Sequence, residues 1–377
     1  MRAAPGQVVA GRYRLTDRPE GRGLLALDLQ TGDQVLVHAL DLPELLIPGR
    51  FSVEPDPAFG GRIARLVAAS VEGAPAHPRL LLGVEAVAEE ELLWVAEERP
   101  AGLSLAELTE SGPLPPYRAA EIAADLAGAL HTLHRAGLAH GNVTADTVVV
   151  CEDGAALLGG LLLGAAEEEL CAALGGPEDG SPGLLQARRI LEARSALLGP
   201  RAERWALETG PAGDCWALGV LLYRLLTGRA PYPENDLPTL LAAVRTGRPE
   251  PADGCGPLRP LVERLLLPDP AARAGAAQVR RELAELLAGA PDPYGPQARA
   301  DRAAVPQGLP VRRPEGPLVR YAGGSSVWRH RPGAAEPQGR GVGRRSVVPP
   351  ALLGPLLVGG VLVLLVAALV LVVSLAG

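Results

Sequence analysis

The segment Gly213–Tyr232 reads GDCWALGVLLYRLLTGRAPY and decides the fold class. Its apolar residues recur at helical spacing, and the run ends at Gly228, a residue type that favours helix C-termini. Further upstream, residues 126–150 read LAGALHTLHRAGLAHGNVTADTVVV, where a helical pattern over Tyr117–Ala136 gives way to a polar loop and a valine run. These segments predict a helical body in the second half of the chain.

Residues 11–100 have a different pattern. Short apolar runs such as LLALDL, QVLVHAL and LLWVAEE alternate with turn signals, which is typical of an antiparallel sheet. One helix is predicted inside this region, between Pro57 and Val71. We therefore predict an α+β fold with a small strand-rich part at 11–100 and a larger helical part at 101–288. The later helices are predicted at 237–246, 257–267 and 276–288.

The C-terminal end carries the prediction of a membrane anchor. Residues 289–348 are rich in Pro, Gly and Arg without periodicity and are predicted to be a disordered linker. Residues 351–376 contain no charged side chain, and these 26 residues would extend roughly 39 Å as a helix, enough for a hydrocarbon core of about 30 Å. We predict one C-terminal transmembrane helix. Gly359–Gly360 would allow association between two copies of this helix.

Charge is distributed unevenly along the chain. The formal net charge is −7, but residues 291–350 hold ten Arg against four acids, a net of +6, so that residues 1–290 carry −13. An acidic body excludes nucleic acid as a partner, since phosphate contacts need basic faces. Arg340, Arg344 and Arg345 immediately before the apolar run predict a single-pass protein of the cell membrane with a cytoplasmic N-terminal body.

Cysteine and lysine usage excludes some chemistry. The four cysteines, at positions 151, 171, 215 and 255, are far apart and form no CxxC pair, so neither a metal knuckle nor a disulfide framework is indicated. Buried, reduced thiols are expected. All 36 side chains counted as Lys or Arg are Arg, which removes the lysine amine from the phosphate chemistry open to this chain.

The order of these elements resembles the eukaryotic-type serine/threonine protein kinases of bacteria, across roughly 11–288. Residues 126–150 are similar to the helix and catalytic loop of that family, whose loop reads HRDLKPxN. Residues 213–232 resemble its DxWxLGxxLYxLLTGxxPF segment, and DPAAR at 269–273 resembles its DPxxR. The resemblance implies a bilobal protein-kinase-like fold, with an N-lobe at 11–100 and a C-lobe at 101–288.

Four residues match positions with structural roles in the family. The resemblance implies that Asp214 accepts hydrogen bonds from the backbone of the catalytic loop and that His140, the first residue of HRD, packs beneath it. It also implies that Glu203, in PRAE where the family has APE, forms a buried ion pair with Arg273.

The catalytic positions of the family are occupied by other residue types. Phosphoryl transfer needs a cation at the ATP phosphates, ligands for magnesium and an Asp to orient the attacking hydroxyl. His38 stands at the lysine of VAIK, Asn142 at the base Asp, and Thr147 and Gly159 at the two metal ligands. No catalytic residue and no metal ligand is therefore assigned. Because Gly21-Arg22-Gly23 resembles the start of GxGxxG, Gly21, Gly23 and His38 are the candidate nucleotide contacts.

Three functions are consistent with this pattern. The first is a pseudokinase, a membrane-anchored binding module that recruits cytoplasmic proteins in signalling. The second is an atypical active serine/threonine kinase that uses displaced residues such as Asp146 and Arg22. The third is a sensor that binds ATP without magnesium and transfers nothing. ATP is thus the one cofactor under consideration, and the membrane and cytoplasmic proteins are the expected partners.

Overall fold

The computed structural model describes residues 4–42, 58–174, 191–192 and 194–290, and the backbone of two short strands at 318–320 and 328–330. All of these residues lie within one compact unit, Met1–Pro332. The predicted membrane helix at 351–376 lies outside the described residues. Among the helices that are described, none combines the length and the apolar character needed to cross a bilayer.

The N-terminal part is a six-stranded antiparallel sheet with the order β1-β2-β3-β4-β6-β5. The strands are β1 (Val8–Val9), β2 (Tyr13–Glu20), β3 (Gly23–Asp28), β4 (Gln34–Asp41), β5 (Glu85–Glu89) and β6 (Leu92–Glu98). The sheet thus begins before residue 11, where the sequence placed its start. Val9 is fully buried, so this short first strand belongs to the sheet.

Side-chain alternation along β6 explains why the sheet is buried on both faces. Trp94 and Ala96 pack in a cluster confined to the sheet, while Leu93 and Val95 point to the opposite face and join the main core with the helices. Strand residues alternate between faces with a period of two, so one continuous apolar run serves both layers.

The C-terminal part is helical, as predicted. Its helices, together with the one that interrupts the sheet, are α1 (Phe59–Ser70), α2 (Leu105–Thr109), α3 (Pro116–Arg135), α4 (Leu161–Leu174), α5 (Pro211–Thr227), α6 (Leu237–Thr246), α7 (Arg259–Leu265) and α8 (Ala276–Ala288). The helical part also contains a small sheet of β7 (Leu103–Ser104), β8 (Val148–Val150) and β9 (Ala156–Leu158), and α2 and α3 lie between β7 and β8 in sequence.

Helix α5 is the centre of the helical part, which accounts for the motif at 213–232. Nearly all of its residues from Gly213 to Leu226 are buried. A Cβ atom at Gly219 would lie 2.6 Å from Cβ of Leu265 on α7, so only glycine permits this helix contact. Gly228 ends the helix in a left-handed conformation with φ of +77°, and its N–H donates to the carbonyl of Arg224 at 2.8 Å.

Two features depart from the sequence prediction. Helix α4, immediately after β9, was not predicted. The antiparallel pair β10 (Leu318–Arg320) and β11 (Trp328–His330) lies inside the stretch 289–348 that composition predicts to be a disordered linker. Each of these strands is only three residues long, too short for an alternating pattern to be recognised against the surrounding Pro and Gly.

Candidate functional site

A cavity of about 370 Å³ lies between the six-stranded sheet and the helical part. Five positions singled out by sequence, Gly21, His38, Asn142, Thr147 and Gly159, line this cavity together. Gly23, the sixth position, supports the cavity wall. A Cβ atom there would lie 2.8 Å from Cγ of Leu36 and 3.0 Å from Cε1 of His38, so glycine is required for packing.

The glycine-containing segment at the mouth of the cavity is a tight turn. Glu20 pairs with Gly23 across β2 and β3, which leaves only Gly21 and Arg22 in the turn. Gly21 has φ of +56°, a conformation that favours glycine. A turn of two residues presents few backbone N–H groups to a phosphate, unlike the longer loops that cradle nucleotides.

His38 has a carboxylate partner, and this partner lies on a neighbouring strand of the same sheet. The imidazole is buried on β4, and its Nε2 atom lies 3.3 Å from Oε2 of Glu97 on the neighbouring strand β6. The other oxygen of Glu97 accepts a hydrogen bond of 3.4 Å from the backbone N–H of Leu163 in the first turn of α4. Glu97 therefore ties the sheet to the beginning of α4, where unpaired N–H groups need acceptors.

Asn142, which the resemblance places at the catalytic base, is held at both ends of its amide. Its Nδ2 donates to the carbonyl of Gly160 at 3.1 Å, and its Oδ1 accepts from Nη1 of Arg204. The side chain is only 2% exposed. An amide does not accept a proton at neutral pH, and both polar atoms of this one are already hydrogen-bonded within the protein.

The two metal-ligand positions are committed to backbone contacts. Oγ1 of Thr147 donates to the carbonyl of Asn142 at 2.8 Å, and the N–H of Gly159 donates to the carbonyl of Thr147 at 2.8 Å. A Cβ atom at Gly160 would lie 2.6 Å from Cγ2 of Thr147. A larger residue in place of Gly160 would therefore collide with Thr147.

The acid nearest to the metal positions, Asp146, forms an ion pair with Arg201. Across the described residues, no group of three or more His, Cys, Asp and Glu side chains is placed to hold a metal ion. Magnesium prefers several oxygen ligands in octahedral geometry. The residues present do not fit the magnesium that the family resemblance implies.

A buried carboxylate that the sequence did not single out lies behind the cavity. Glu167 on α4 is completely buried. Its Oε1 accepts from Nη1 of Arg22 at 3.3 Å, and its Oε2 lies 2.8 Å from Nη1 of Arg204. Arg22 also donates to the carbonyl of Leu197 at 2.5 Å. A continuous polar network thus connects the Gly21-Arg22 turn to Asn142.

Asp214 makes the contacts with the catalytic loop that the resemblance implies. Its carboxylate accepts from the backbone N–H groups of His140 and Gly141, each at 2.7 Å, and lies 2.8 Å from Nε2 of His134. His140 is buried beneath the loop, and its Nδ1 accepts from the N–H of Asn142 at 3.2 Å. Burial lowers the pKa of His140 from 6.5 to about 4, so the imidazole is neutral at neutral pH.

The expected ion pair between Glu203 and Arg273 is wrong. Glu203 instead contacts Arg224, with 2.6 Å between Nε and Oε1. Arg273 pairs with Glu208 and donates to the carbonyl of Ala212 at 2.8 Å. Helix α5 separates the two sites, because Ala212 is near its beginning and Arg224 near its end, roughly 18 Å apart at about 1.5 Å per residue.

The strand-rich N-terminal part, the helical C-terminal part and the intervening cleft define a protein-kinase-like domain. Comparison with curated proteins finds serine/threonine protein kinases of bacteria. The chain is 30% identical over 262 residues to AfsK of Streptomyces griseus, across 67% of this chain and 30% of AfsK. It is 26% identical over 287 residues to the probable kinase PkwA of Thermomonospora curvata, across 74% of this chain and 34% of PkwA.

Other comparisons are more limited. PknL of Mycobacterium tuberculosis is 30% identical over 125 residues, which are 33% of this chain and 28% of PknL. The chain thus spans about a third or less of these curated relatives. No family model matches. Among solved structures, Rad53 1–466 in complex with AMP-PNP has a TM-score of 0.47 and 17% identity, and the match covers 71% of this chain and 64% of that chain.

Proposed function

We propose that this chain is a pseudokinase, a kinase-like domain that transfers no phosphate and instead recruits cytoplasmic proteins to a membrane. The observation that carries this proposal is the state of Asn142. Its amide occupies the base position and is bound on one side to Gly160 and on the other to Arg204. An amide is not basic at neutral pH, so it does not take the proton of an attacking hydroxyl.

The expected size of the rate loss supports the absence of phosphoryl transfer. Catalysis of phosphoryl transfer consists almost entirely of positioning and electrostatic stabilisation. Removing one preorganised charge-stabilising group from an active site typically lowers the rate by about 10²–10³-fold. His38, Asn142, Thr147 and Gly159 change the lysine, the base and both metal ligands together, so the combined loss leaves little catalysis.

An active kinase that uses Asp146 and Arg22 is less favoured, because both side chains are already in ion pairs. Asp146 pairs with Arg201, and Arg22 pairs with Glu167. Either residue would have to leave its partner before it could contact a substrate or nucleotide.

The membrane part of the proposal rests on sequence. The uncharged residues 351–376 would form the anchor, and the arginines just before them would keep the kinase-like domain on the cytoplasmic side. The linker at 289–348 would leave the domain free to meet partners near the lipid surface, and its net positive charge suits anionic headgroups.

A transfer assay tests the proposal. The full chain, purified in detergent micelles, is incubated with radiolabelled ATP, magnesium and a general acceptor protein, with AfsK of Streptomyces griseus as the positive control. We expect no transfer above background, and none from Asn142→Asp, since restoring the base leaves the metal positions empty of carboxylates. Transfer that Asp146→Ala abolishes and Asn142→Ala leaves unchanged would establish the atypical kinase instead.

A further inference from the structure

The β2–β3 turn and strand β6 are each connected to the helical part by polar contacts across the cleft. From the turn, Arg22 reaches Oε1 of Glu167 on α4 at 3.3 Å and donates to the carbonyl of Leu197 at 2.5 Å. From β6, Oε1 of Glu97 accepts from the backbone N–H of Leu163 on α4 at 3.4 Å. The sheet is therefore held against α4 at two separate places.

These two connections differ in their exposure to water. The side chain of Glu97 is only 11% exposed and also lies 3.3 Å from Nε2 of His38, so it is part of the interior. The side chain of Arg22, at the mouth of the cavity, is 44% exposed. Water replaces the partner of an exposed charge at small cost, whereas a buried polar group that loses its partner stays unsatisfied. The contact at the mouth therefore opens more easily than the contact inside.

Release of Arg22 does not leave an uncompensated charge in the interior. Glu167 is completely buried, and a buried carboxylate without any cation is strongly unfavourable. Its Oε2, however, lies 2.8 Å from Nη1 of Arg204, whose side chain is only 3% exposed. Arg204 stays beside Glu167 when Arg22 leaves, and the guanidinium of Arg22 gains hydration in exchange. An open arrangement of the turn is therefore accessible from the closed one.

We propose that Arg22 is a latch that closes the mouth of the cleft on Glu167, and that the sheet moves about the buried contact of Glu97 when the latch opens. Opening exposes the loop at Asn142 and the segment at Leu197 together, so the closed and open states present different surfaces to a partner. The latch consists of side chains of this chain alone, and it does not depend on whether the chain transfers phosphate or is anchored to a membrane.

Hydrogen exchange of the full chain in detergent micelles tests the latch. In Arg22→Ala, we expect backbone exchange to become about fivefold faster in the turn and at 140–147, 158–167 and 194–200, because loss of a partly exposed ion pair shifts the balance between open and closed states by about this factor. Exchange in α5, the buried centre of the helical part, should stay as in the intact chain. This pattern would show that the cleft opens while the domain stays folded.

Two further variants and a salt series make the result specific. Arg18→Ala is the matched control, because Arg18 is exposed on β2 and its side chain has no partner among the described residues. It should exchange like the intact chain. Arg22→Lys keeps the charge beside Glu167 and should restore most of the protection. High salt weakens a pair whose cation contacts water, so it should accelerate exchange at the cleft in the intact chain and have little effect in Arg22→Ala.

Two outcomes would overturn the proposal. Acceleration confined to the turn would show that Arg22 orders only its own turn, and equal exchange in Arg22→Ala and Arg18→Ala would show that Arg22 closes nothing. If Arg22→Ala also accelerates exchange in α5, the variant unfolds as a whole, and the salt series of the intact chain decides instead because it needs no substitution. Exchange at the cleft that salt does not change would then contradict the latch.

Discussion

Gly160 and Asn142 contact each other on the floor of the cleft, and this contact depends on a missing side chain. Gly160 has φ of +82°, and an added Cβ would lie 2.6 Å from Thr147 and 3.0 Å from Nδ2 of Asn142. A left-handed conformation costs a non-glycine residue about 1–2 kcal/mol. Overpacking costs about 1–3 kcal/mol more. Both costs apply at this position.

We therefore expect Gly160→Ala to lower the free energy of unfolding by about 2–5 kcal/mol. Gly141→Ala is the matched control, because Gly141 has φ of +68° and no atom within 4 Å of the added Cβ. It should lose only the conformational part, about 1–2 kcal/mol. Urea unfolding followed by tryptophan fluorescence measures the free energy of unfolding of both variants. Equal losses for the two would show that the floor of the cleft rearranges to accommodate the added methyl group.

His140 should make stability depend on pH. Its native pKa is lowered by burial to about 4, against 6.5 for the exposed side chain. Between these values the unfolded state binds more protons, so stability rises with pH in this window. We expect this residue to contribute a loss of up to about 3 kcal/mol as the pH falls from 6.5 to 4.

Unfolding measured across that pH range for the intact chain and for His140→Gln tests this expectation. The variant should have a flatter profile. His131→Gln, at a more exposed position on α3, should flatten the profile less than His140→Gln, although burial also lowers the pKa of His131. A profile that His140→Gln does not flatten would place the pH dependence in other groups.

At single positions, the sequence predicted which residues occupy the catalytic positions of the family but not which side chains contact them. His38, Asn142, Thr147 and Gly159 were assigned to these places by the resemblance to bacterial serine/threonine kinases. Glu97 and Arg204, which contact His38 and Asn142, were missed, as was Glu167, which contacts Arg204. Each lies in a charged stretch, such as the EEE run at 167–169, that is typical of a solvated surface. A one-dimensional pattern does not reveal which of three adjacent acids is buried.

Among the elements, close contact between α5 and α7 depends on Gly219. Its absent Cβ would overlap Leu265, at 2.6 Å. We expect Gly219→Ala to destabilise the domain by about 1–3 kcal/mol through overpacking. The measurement is again urea unfolding of the full chain.

Gly61 in α1 provides a control for which the opposite effect on stability is expected. An added Cβ there meets only Nη1 of Arg65, at 3.9 Å. Gly61→Ala should therefore stabilise the domain by about 0.5–1 kcal/mol, since alanine favours a helix interior. Destabilisation by both variants to a similar extent would contradict the packing argument.

Helices α3 and α5 were predicted from sequence, whereas α4 was not. The difference lies in their surroundings. Residues 161–166 read LLLGAA and are largely buried, so no polar stripe marks a helical period. Gly164 in this run reads as a break, although its Cβ position, 2.8 Å from Cβ of Asn142, explains why glycine is needed.

For the whole molecule, the predicted α+β kinase-like fold is confirmed by the sheet, the helical part and the bacterial kinases to which the chain is similar. Composition and the order of the motifs were sufficient to predict the fold class. The anchor at 351–376 lies outside the described residues and stays a prediction.

Deletion of residues 349–377 tests the anchor. The full chain should stay in the membrane pellet after an alkaline carbonate wash, because an uncharged stretch of this length spans the hydrocarbon core. The shortened chain should move to the soluble fraction, or be released there by high salt if its arginines still contact anionic lipid. A shortened chain that resists carbonate would place the anchor elsewhere.

The close contact between α4 and the catalytic loop also affects how the lineage of this protein could change. A carboxylate in place of Gly159 would have its Cβ 3.4 Å from the carbonyl oxygen of Thr147, and a large side chain in place of Gly160 would have its Cβ 2.6 Å from Cγ2 of Thr147, so both changes would crowd the loop. Each single step would lower the stability of the present structure, so the tight packing of these glycines disfavours the gradual appearance of larger side chains at the floor of the cleft.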